Sequence, residues 1–447
     1  MRARGLFIWI WLLLGLGATV FAAERRFPPP EFETDYVMPV AATPEPRSAA
    51  MQYVDLAVLA GGLGLATWLA LRRRSRKGLI GLSIFSLVYF GFYRAGCICA
   101  IGAPQNVALG LFDNGYAIPF TALAFFILPL AVALFAGRTF CAAVCPHGAL
   151  QDLILIRPVK VPAWLEAGLG LFPYFFLGAG LLFAATGATF LFCRYDPFVP
   201  LFRMNGSFLM VGLGLGLLVL GMFVGRPYCR FVCPYGALLR MAAAVSRWRI
   251  RITPNYCTQC RLCEESCPYG AIREPVNLPS TPQALAPDRR RMGRLLVLLP
   301  ALILATAWLG SRLATPFSKL HPKVALAEAY HAPDRPAAPP PVATPDSLAL
   351  ARADRDPDGL LAEAVAIRKR FRIGGWLFGG WIGLVLGVRL MALSLRPARN
   401  DFEPDRSACL ACGRCYTYCP NERVRLGLLA PEALPLPPAT LAQPPKA

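Results

Sequence analysis

The sequence predicts an all-α polytopic membrane protein with a small iron–sulfur module at one membrane face. Hydrophobic residues make up 56% of the 447-residue chain and charged residues 16%, against about 25% charged residues in ordinary soluble domains. The chain also carries apolar stretches of bilayer-spanning length and two cysteine motifs with ferredoxin spacing. This composition excludes a disordered chain and argues against a soluble enzyme, because the surplus apolar surface requires lipid.

The N-terminal residues 1–23 are predicted to be a signal peptide, with an uncleaved anchor as the alternative. A basic start, Met1-Arg-Ala-Arg, precedes an apolar run over 5–17 and a small-residue cleavage site at 20–22, the three parts of a secretory signal. Residues 24–52 are rich in proline and are predicted to be a periplasmic linker.

About seven spans follow in the sequence. If the signal exports the start of the mature chain, the first span runs inward and the basic run 72–77 lies in the cytoplasm, as the positive-inside rule requires. We therefore expect a multi-pass protein of the bacterial inner membrane. The predicted spans lie near 53–71, 78–95, 117–136, 165–187, 207–224, 294–312 and 373–395.

The domain organisation follows from these spans. We expect a membrane domain over 53–250, a first ferredoxin half over 251–292, a transmembrane hairpin over 293–395, a second ferredoxin half over 396–430 and a disordered tail over 431–447. Within the hairpin, residues 313–372 are predicted to form a loose periplasmic loop with one short helix at 359–370.

Two motifs carry the bacterial ferredoxin spacing, Cys-x2-Cys-x2-Cys-x3-Cys-Pro. In two-cluster ferredoxins the first three cysteines of a motif bind one cluster and the fourth binds the other. We therefore expect two [4Fe–4S] clusters with exchanged fourth ligands. The two predicted sets are Cys257, Cys260, Cys263 and Cys419, and Cys409, Cys412, Cys415 and Cys267.

Two spans separate the motifs, so the chain returns to the same side and the halves can meet. The expected product is a split ferredoxin module on the cytoplasmic side, where thiols are kept reduced.

An internal repeat relates Gly137–Leu150 to Gly225–Leu238, and each copy contains Cys-x3-Cys-Pro. The two copies supply Cys141, Cys145, Cys229 and Cys233, predicted to lie at the inner membrane face. Four such thiols could hold a third cluster or a metal ion, act as redox thiols, or pack at helix ends. His147 lies within the first copy, two residues after Cys145, and is read either as a ligand or proton carrier, or as an ordinary helix-end histidine.

Three further cysteines, Cys97, Cys99 and Cys193, are predicted on the outer side. A disulfide and a copper(I) site are the two alternatives. Arg194 and Asp196 beside them could bind a quinone head group, or could be ordinary charges at a helix end.

Other function classes are excluded or disfavoured. The net charge of +20 arises mostly from residues that flank spans, so no nucleic-acid partner is expected. Three histidines are too few for paired haem ligands. Thr186-Gly-Ala-Thr189 resembles a flavinylation signature but lacks its upstream aspartate, so no FMN is expected. No acid–base pair or nucleophile stands out, which favours an electron carrier over a substrate-converting enzyme.

With these motifs together, residues 78–420 resemble the NosR/NapH family of membrane iron–sulfur proteins. The resemblance rests on Gly96-Cys-Ile-Cys99, the two Cys-x3-Cys-Pro copies and the two ferredoxin motifs. It implies electron transfer between the quinone pool or cytoplasmic donors and a periplasmic reductase, of the nitrous oxide reductase or nitrate reductase type.

The resemblance is to the NosR-like branch without its periplasmic flavin-binding domain. Only residues 24–50 stand where that domain would lie, so we expect a separate flavoprotein, other membrane subunits or a different outward electron path. The alternative function is copper handling, or assembly or regulation of a periplasmic or membrane metalloenzyme.

Overall fold

The protein is predominantly helical in its computed structural model. The structure describes residues 47–96, 100–252, 257–276, 282–330, 357–394, 399, 401–430 and 432. The α-helices are Ala49–Thr67, Arg76–Ser86, Ala103–Phe112, Phe120–Ala136, Pro146–Leu153, Ala163–Leu169, Phe172–Ala185, Leu191–Arg194, Val199–Arg203, Phe208–Gly221, Pro227–Phe231, Pro234–Ala244, Leu262–Glu265, Pro282–Ser318, Pro322–Tyr330, Pro357–Ser394, Arg414–Tyr418 and Pro420–Arg425.

Three π-helical segments and two short strands complete the described elements. The π-helical segments are Trp68–Arg73, Leu87–Tyr93 and Phe140–Val144. The strands are Ile272–Arg273 and Glu403–Pro404. The predicted signal peptide, 1–23, and tail, 431–447, lie outside the described residues apart from Glu432.

Among the described residues, four helices are long and apolar enough to cross a membrane, compared with about seven spans predicted from the sequence. These four are Ala49–Arg73, Ala163–Ala185, Arg290–Ser318 and Gly359–Ser394. Two shorter apolar helices are Phe120–Ala136 and Phe208–Gly221. Lipid-facing apolar side chains are expected on such helices because hydrocarbon replaces water as the solvent.

The two longest helices, Pro282–Ser318 and Pro357–Ser394, pack against each other through glycines. A methyl group added at Gly310 would lie 2.2 Å from the Gly375 carbonyl oxygen, and one added at Gly379 would lie 2.1 Å from the Thr306 carbonyl oxygen. Only glycine permits this backbone approach, as in other membrane helix pairs.

The long second helix differs from the predicted separate helix at 359–370. Leu360, Ala364, Ile367 and Phe371 are buried at helical spacing and share a small core with Val324 and Ala327 of the helix Pro322–Tyr330. This apolar stripe extends the span beyond its predicted start without a break. The first long helix likewise begins at Pro282, inside the range predicted for the first ferredoxin half.

The two ferredoxin halves meet through a two-stranded antiparallel sheet. Ile272 pairs with Pro404 and Arg273 with Glu403, and a further bridge joins Val276 to Arg399. The sheet therefore joins the segments that carry the two cysteine motifs into one module, which we call the ferredoxin module.

The ferredoxin module docks on the basic turn between the first two helices of the membrane domain. Arg74 forms an ion pair with the fully buried Glu422 at 3.1 Å and lies over the Tyr416 ring. Arg76 donates to the Cys412 carbonyl oxygen at 2.9 Å. The module is thus on the same side as the basic turn, and one continuous core joins it to the membrane helices.

Candidate iron–sulfur sites

A first cavity of the ferredoxin module, cavity I, is lined by cysteines from both halves. They are Cys257, Cys260, Cys263 and Cys419. Three come from the first motif and the fourth from the second, which is the grouping predicted from the motif spacing. Ile252 and Phe402 supply apolar walls.

A second cavity, cavity II, has the reciprocal composition. Its cysteines are Cys267, Cys409, Cys412 and Cys415. Tyr269, Ile250 and Leu410 supply apolar walls. The structure therefore brings both sets of four sequence-predicted cysteines together.

The two cavities share the same loop conformation. Gln259 and Ala411 precede the second cysteine of each motif, and Arg261 and Gly413 follow it; all four residues have positive φ. The left-handed backbone turns the Cys-x2-Cys loop sharply enough for its amides to face sulfur. The Gln259 amide accordingly donates to the Cys257 sulfur at 3.4 Å.

The environment of both cavities disfavours the deprotonated form of their cysteines. Burial, followed by the charges of neighbouring cysteines, raises the pKa of Cys263 to about 12. Burial also raises the pKa of Cys409 to about 12, although the hydrogen bond from the Ala411 amide lowers it. Metal binding must therefore displace protons from these sulfurs.

The number and origin of the cysteines around each cavity suit a four-iron cluster. In a four-iron cluster each cysteine binds a different iron, so four cysteines around a cavity fit the cluster.

The cavities differ in exposure. Cys260 of cavity I is exposed, whereas Cys267 of cavity II is 9% exposed. Cavity II faces the membrane domain: Arg76 binds the Cys412 carbonyl and Arg138 donates to the Ser407 carbonyl oxygen at 3.4 Å. Cavity II therefore borders the membrane domain, and Cys260 gives cavity I a solvent-exposed edge.

Asp405 organises the loop that enters the second motif. Its Oδ1 accepts from the Ser407 amide at 2.9 Å, the Ser407 hydroxyl at 2.7 Å and the Ala408 amide at 3.1 Å. Its own amide donates to the Ala271 carbonyl at 2.7 Å. Although burial raises the pKa of Asp405, these bonds and Arg273 hold it below its ordinary value. Asp405 thus ties the two halves beside cavity II.

The four cysteines of the Cys-x3-Cys-Pro copies are all buried, and none of the four is in a disulfide. They lie beside cavity II, because Arg226 donates to the Cys141 carbonyl oxygen and its guanidinium lies over the Tyr269 ring. Arg226 is also paired with Asp152 at 3.5 Å. The two copies therefore contact the ferredoxin module beside cavity II.

Each copy contains a glycine at a tightly packed position. A methyl group added at Gly148 would lie 3.0 Å from the Cys141 carbonyl oxygen, and one at Gly236 would lie 3.2 Å from the Cys229 carbonyl oxygen. In both copies the helix after Cys-Pro thus packs on the backbone of the first cysteine.

His147 forms a buried pair that the sequence analysis did not identify. Its Nε2 lies 3.1 Å from Asp196 Oδ2, and both residues are buried. Phe198, Phe202 and Tyr228 surround the imidazole. The pairing joins the first Cys-x3-Cys-Pro copy to a loop that was predicted at the opposite membrane face. No sequence signal relates the two residues, because the contact depends on how the loop folds inward.

Arg194 and Asp196, predicted either to bind a quinone head group or to be ordinary helix-end charges, have different partners in the structure. Asp196 binds His147, and the Arg194 guanidinium lies over the Tyr195 ring at 6.0 Å. Cys193 is an exposed free thiol, while Cys97 and Cys99 lie outside the described residues. Another ion pair missed from the sequence joins the buried Asp55 to Arg94 at 3.0 Å.

Family models match three ranges of the chain. A 4Fe-4S binding domain model matches residues 118–162 and 207–253, which contain the two Cys-x3-Cys-Pro copies. A second 4Fe-4S binding domain model matches residues 249–272, which contain the first ferredoxin motif. The two domain types support two [4Fe–4S] clusters.

Similar proteins include NirI of Paracoccus denitrificans, 32% identical over 50% of this chain and 35% of NirI. The putative electron transport protein YccM of Escherichia coli is 27% identical over 33% of this chain and 46% of YccM. The regulatory protein NosR of Stutzerimonas stutzeri is 26% identical over 45% of this chain and 29% of NosR.

The chain is therefore similar to membrane iron–sulfur proteins of the NosR/NapH type. It spans less than half the length of each of these three relatives. No solved structure matches the chain.

Proposed function

We propose that this NosR/NapH-like protein carries electrons between a cytoplasmic or quinone-pool donor and a periplasmic metalloenzyme or its electron carrier. The observation that carries the proposal is the reciprocal composition of cavities I and II. Each cavity takes three cysteines from one motif and one from the other, which is the ligand arrangement of two-cluster ferredoxins.

In this proposal cavity I is held by Cys257, Cys260, Cys263 and Cys419, and cavity II by Cys409, Cys412, Cys415 and Cys267. When bound, each [4Fe–4S] cluster accepts and releases one electron at a time. The residues around the cavities indicate the order in which the two sites would carry an electron. Cys260 exposes cavity I to a donor, and Arg76 and Arg138 hold cavity II against the membrane domain.

The proposed orientation follows from charge. The basic turn 72–77 touches the ferredoxin module, and short basic segments remain in the cytoplasm. The module therefore faces the cytoplasm of a bacterial inner membrane, and about seven spans carry the chain across it. The name of the relative YccM, a putative electron transport protein, supports a redox role, and the membrane location and a periplasmic client are inferred from the family resemblance.

The function can be tested with the full chain in nanodiscs, where both membrane faces are accessible. Dithionite reduces the protein, excess dithionite is removed, and reduction of an added electron acceptor is then followed optically. The matched control is the Cys260→Ala/Cys267→Ala variant at equal protein content. We expect acceptor reduction with the wild type and only background with the control; equal background rates in both would refute the function.

A further inference from the structure

Four arginine side chains lie beside cavity II. We call them the arginine group, and they are Arg76, Arg138, Arg226 and Arg414. Arg414 lines the cavity, and Arg76 donates to the Cys412 carbonyl oxygen at 2.9 Å. The Arg226 guanidinium lies over the ring of Tyr269, which is a wall of the same cavity. The membrane domain and the ferredoxin module thus both contribute cations to this site.

One carboxylate, that of Asp152, opposes three of these cations. Its Oδ2 lies 3.5 Å from Arg226 and 3.6 Å from Arg76. Its Oδ1 lies 3.7 Å from Arg414 and accepts a hydrogen bond from the Tyr269 hydroxyl at 2.6 Å. Although burial raises the pKa of Asp152, Arg226 and the hydrogen bond from Tyr269 bring it below its ordinary value. Asp152 is therefore ionised at neutral pH and supplies one negative charge against three positive ones.

The fourth cation, Arg138, is buried without a carboxylate. It is 1% exposed and forms no ion pair in the part of the chain that the structure describes. The Nε atoms of Arg138, Arg226 and Arg414 are all buried and donate no hydrogen bond within the described ranges. Since buried cations require a counter-charge, the arginine group leaves an excess of positive charge beside cavity II.

This charge reaches the sulfurs of cavity II. Burial raises the pKa of Cys412, and Arg76 opposes that rise. Burial raises the pKa of Cys409 as well, and Arg138 opposes it. Both arginines therefore favour negative charge on the sulfurs that line the cavity.

The charges beside cavity I are paired with carboxylates or screened by water. Arg261 lines the cavity and lies 3.5 Å from Glu274, and both side chains are more than half exposed. Such exposed charges are screened by solvent and salt. The buried Glu422, three residues after the last cysteine of the second motif, is paired with Arg74 and Arg425. Cavity I therefore has no counterpart of the arginine group among the described residues.

The potential of an iron–sulfur cluster depends on the net charge around it, on hydrogen bonds to sulfur and on its exposure to solvent. Reduction adds one negative charge to the cluster. Burial alone disfavours that charge, but the low local dielectric also strengthens its attraction to neighbouring cations. The excess of buried cations beside cavity II supplies the counter-charge that reduction requires.

We propose that the arginine group gives the iron–sulfur site in cavity II a less negative midpoint potential than the site in cavity I. The inference rests on the proposed function and gives its electron path a direction. One electron leaves the cavity I site, which is oxidised, and enters the cavity II site, which is reduced; no bond forms or breaks. The path thus runs from the exposed edge at Cys260 toward the membrane domain.

Redox titration followed by EPR, on the anaerobically purified full chain, measures both midpoint potentials. Cys260→Ala and Cys267→Ala, which should each remove one site, assign the two signals. In the wild type we expect the less negative potential at cavity II. Arg414→Met should move that potential to a more negative value. Asp152→Asn, which removes the opposing carboxylate, should move it to a less negative one.

The opposite directions of the two shifts distinguish an effect of charge from a structural disturbance, which has no reason to change sign with the charge removed. Arg414→Lys keeps the cation and should stay closer to wild type than Arg414→Met. The matched control is Arg312→Met, because Arg312 lies over the Trp308 ring and lines neither cavity. It should shift neither potential.

A wild-type potential at cavity II that is equal to or more negative than that at cavity I would overturn the inference. Shifts of the same sign in Arg414→Met and Asp152→Asn, or no shift in either, would also overturn it. If Arg414→Met does not fold, the sign of the shift in the isosteric Asp152→Asn decides alone. These results leave the proposed function intact if the nanodisc assay still shows transfer to the added acceptor. Absence of transfer with the expected potentials would refute the function and not the inference, and absence of iron would refute both.

Discussion

Exchange of the fourth cysteine between the two motifs can be tested by double substitution. Cys267 belongs to the first motif in sequence but lines cavity II, and Cys260 lines cavity I. Cys267→Ala should therefore damage the cluster of the second motif, although the two lie in different halves of the module. The Cys267→Ala/Cys412→Ala double variant should lose no more iron than either single variant, because both residues serve one site.

The expected magnitude follows from four ligands around each cavity. Loss of one ligand removes a cluster, so Cys267→Ala should lose about four irons per chain, and Cys267→Ala/Cys412→Ala again about four. Cys267→Ala/Cys260→Ala should lose about eight, because each substitution falls on a different cavity. The counts are differences from wild type and do not depend on any further cluster.

The assay is iron per chain on anaerobically purified protein, with the dithionite-reduced EPR spectrum recorded on the same samples. Cys193→Ala at an exposed position controls for nonspecific loss. The opposite result would refute the exchange of the fourth cysteine. Cys267→Ala/Cys260→Ala would then lose only about four irons and Cys267→Ala/Cys412→Ala about eight, because each motif would bind its own cluster.

Three further substitutions test how the structure supports the sites. Gly310→Leu should separate the two long helices, at a cost of about 1–3 kcal/mol or more from overpacking, seen as a lower melting temperature in detergent; Gly293→Leu, with no atom near its added carbon, should not lower it. His147→Ala should leave the buried Asp196 carboxylate without its imidazole partner and cost about 1–3 kcal/mol; stability equal to wild type in detergent melting would contradict the pair. Asp405→Ala should speed the loss of cluster absorbance on mild heating more than Asp405→Asn does. The asparagine side-chain oxygen can still accept the loop hydrogen bonds, whereas alanine has no acceptor. Equal rates in the two variants would show that those bonds are unimportant.

The ferredoxin part was the most predictable from sequence. The spacing of Cys257 to Cys267 and of Cys409 to Cys419 indicated the ligand sets, because a fixed cluster geometry imposes a fixed spacing on its loop. The lipid-spanning stretches were also visible as apolar runs, although the extent of the helix Pro357–Ser394 was not. Its early turns are held by packing on Pro322–Tyr330, and such tertiary packing leaves only a weak periodic signal.

The long-range polar contacts could not be predicted. The His147–Asp196 pair and the Asp55–Arg94 pair join residues that are distant in sequence, and single charged residues carry no indication of their partner. Burial of Arg138 was equally hidden, because an arginine beside a span is ordinarily a topology signal. In each case the fold of the intervening loops decides the contact.

Iron and acid-labile sulfide per chain, measured with the EPR spectrum of the anaerobically purified full-length protein before and after dithionite, decide whether this chain holds two iron–sulfur clusters. We expect at least about eight irons and eight sulfides per chain, with reduced [4Fe–4S] signals that appear on dithionite addition. A protein that folds in the membrane but contains no iron or labile sulfide would contradict it.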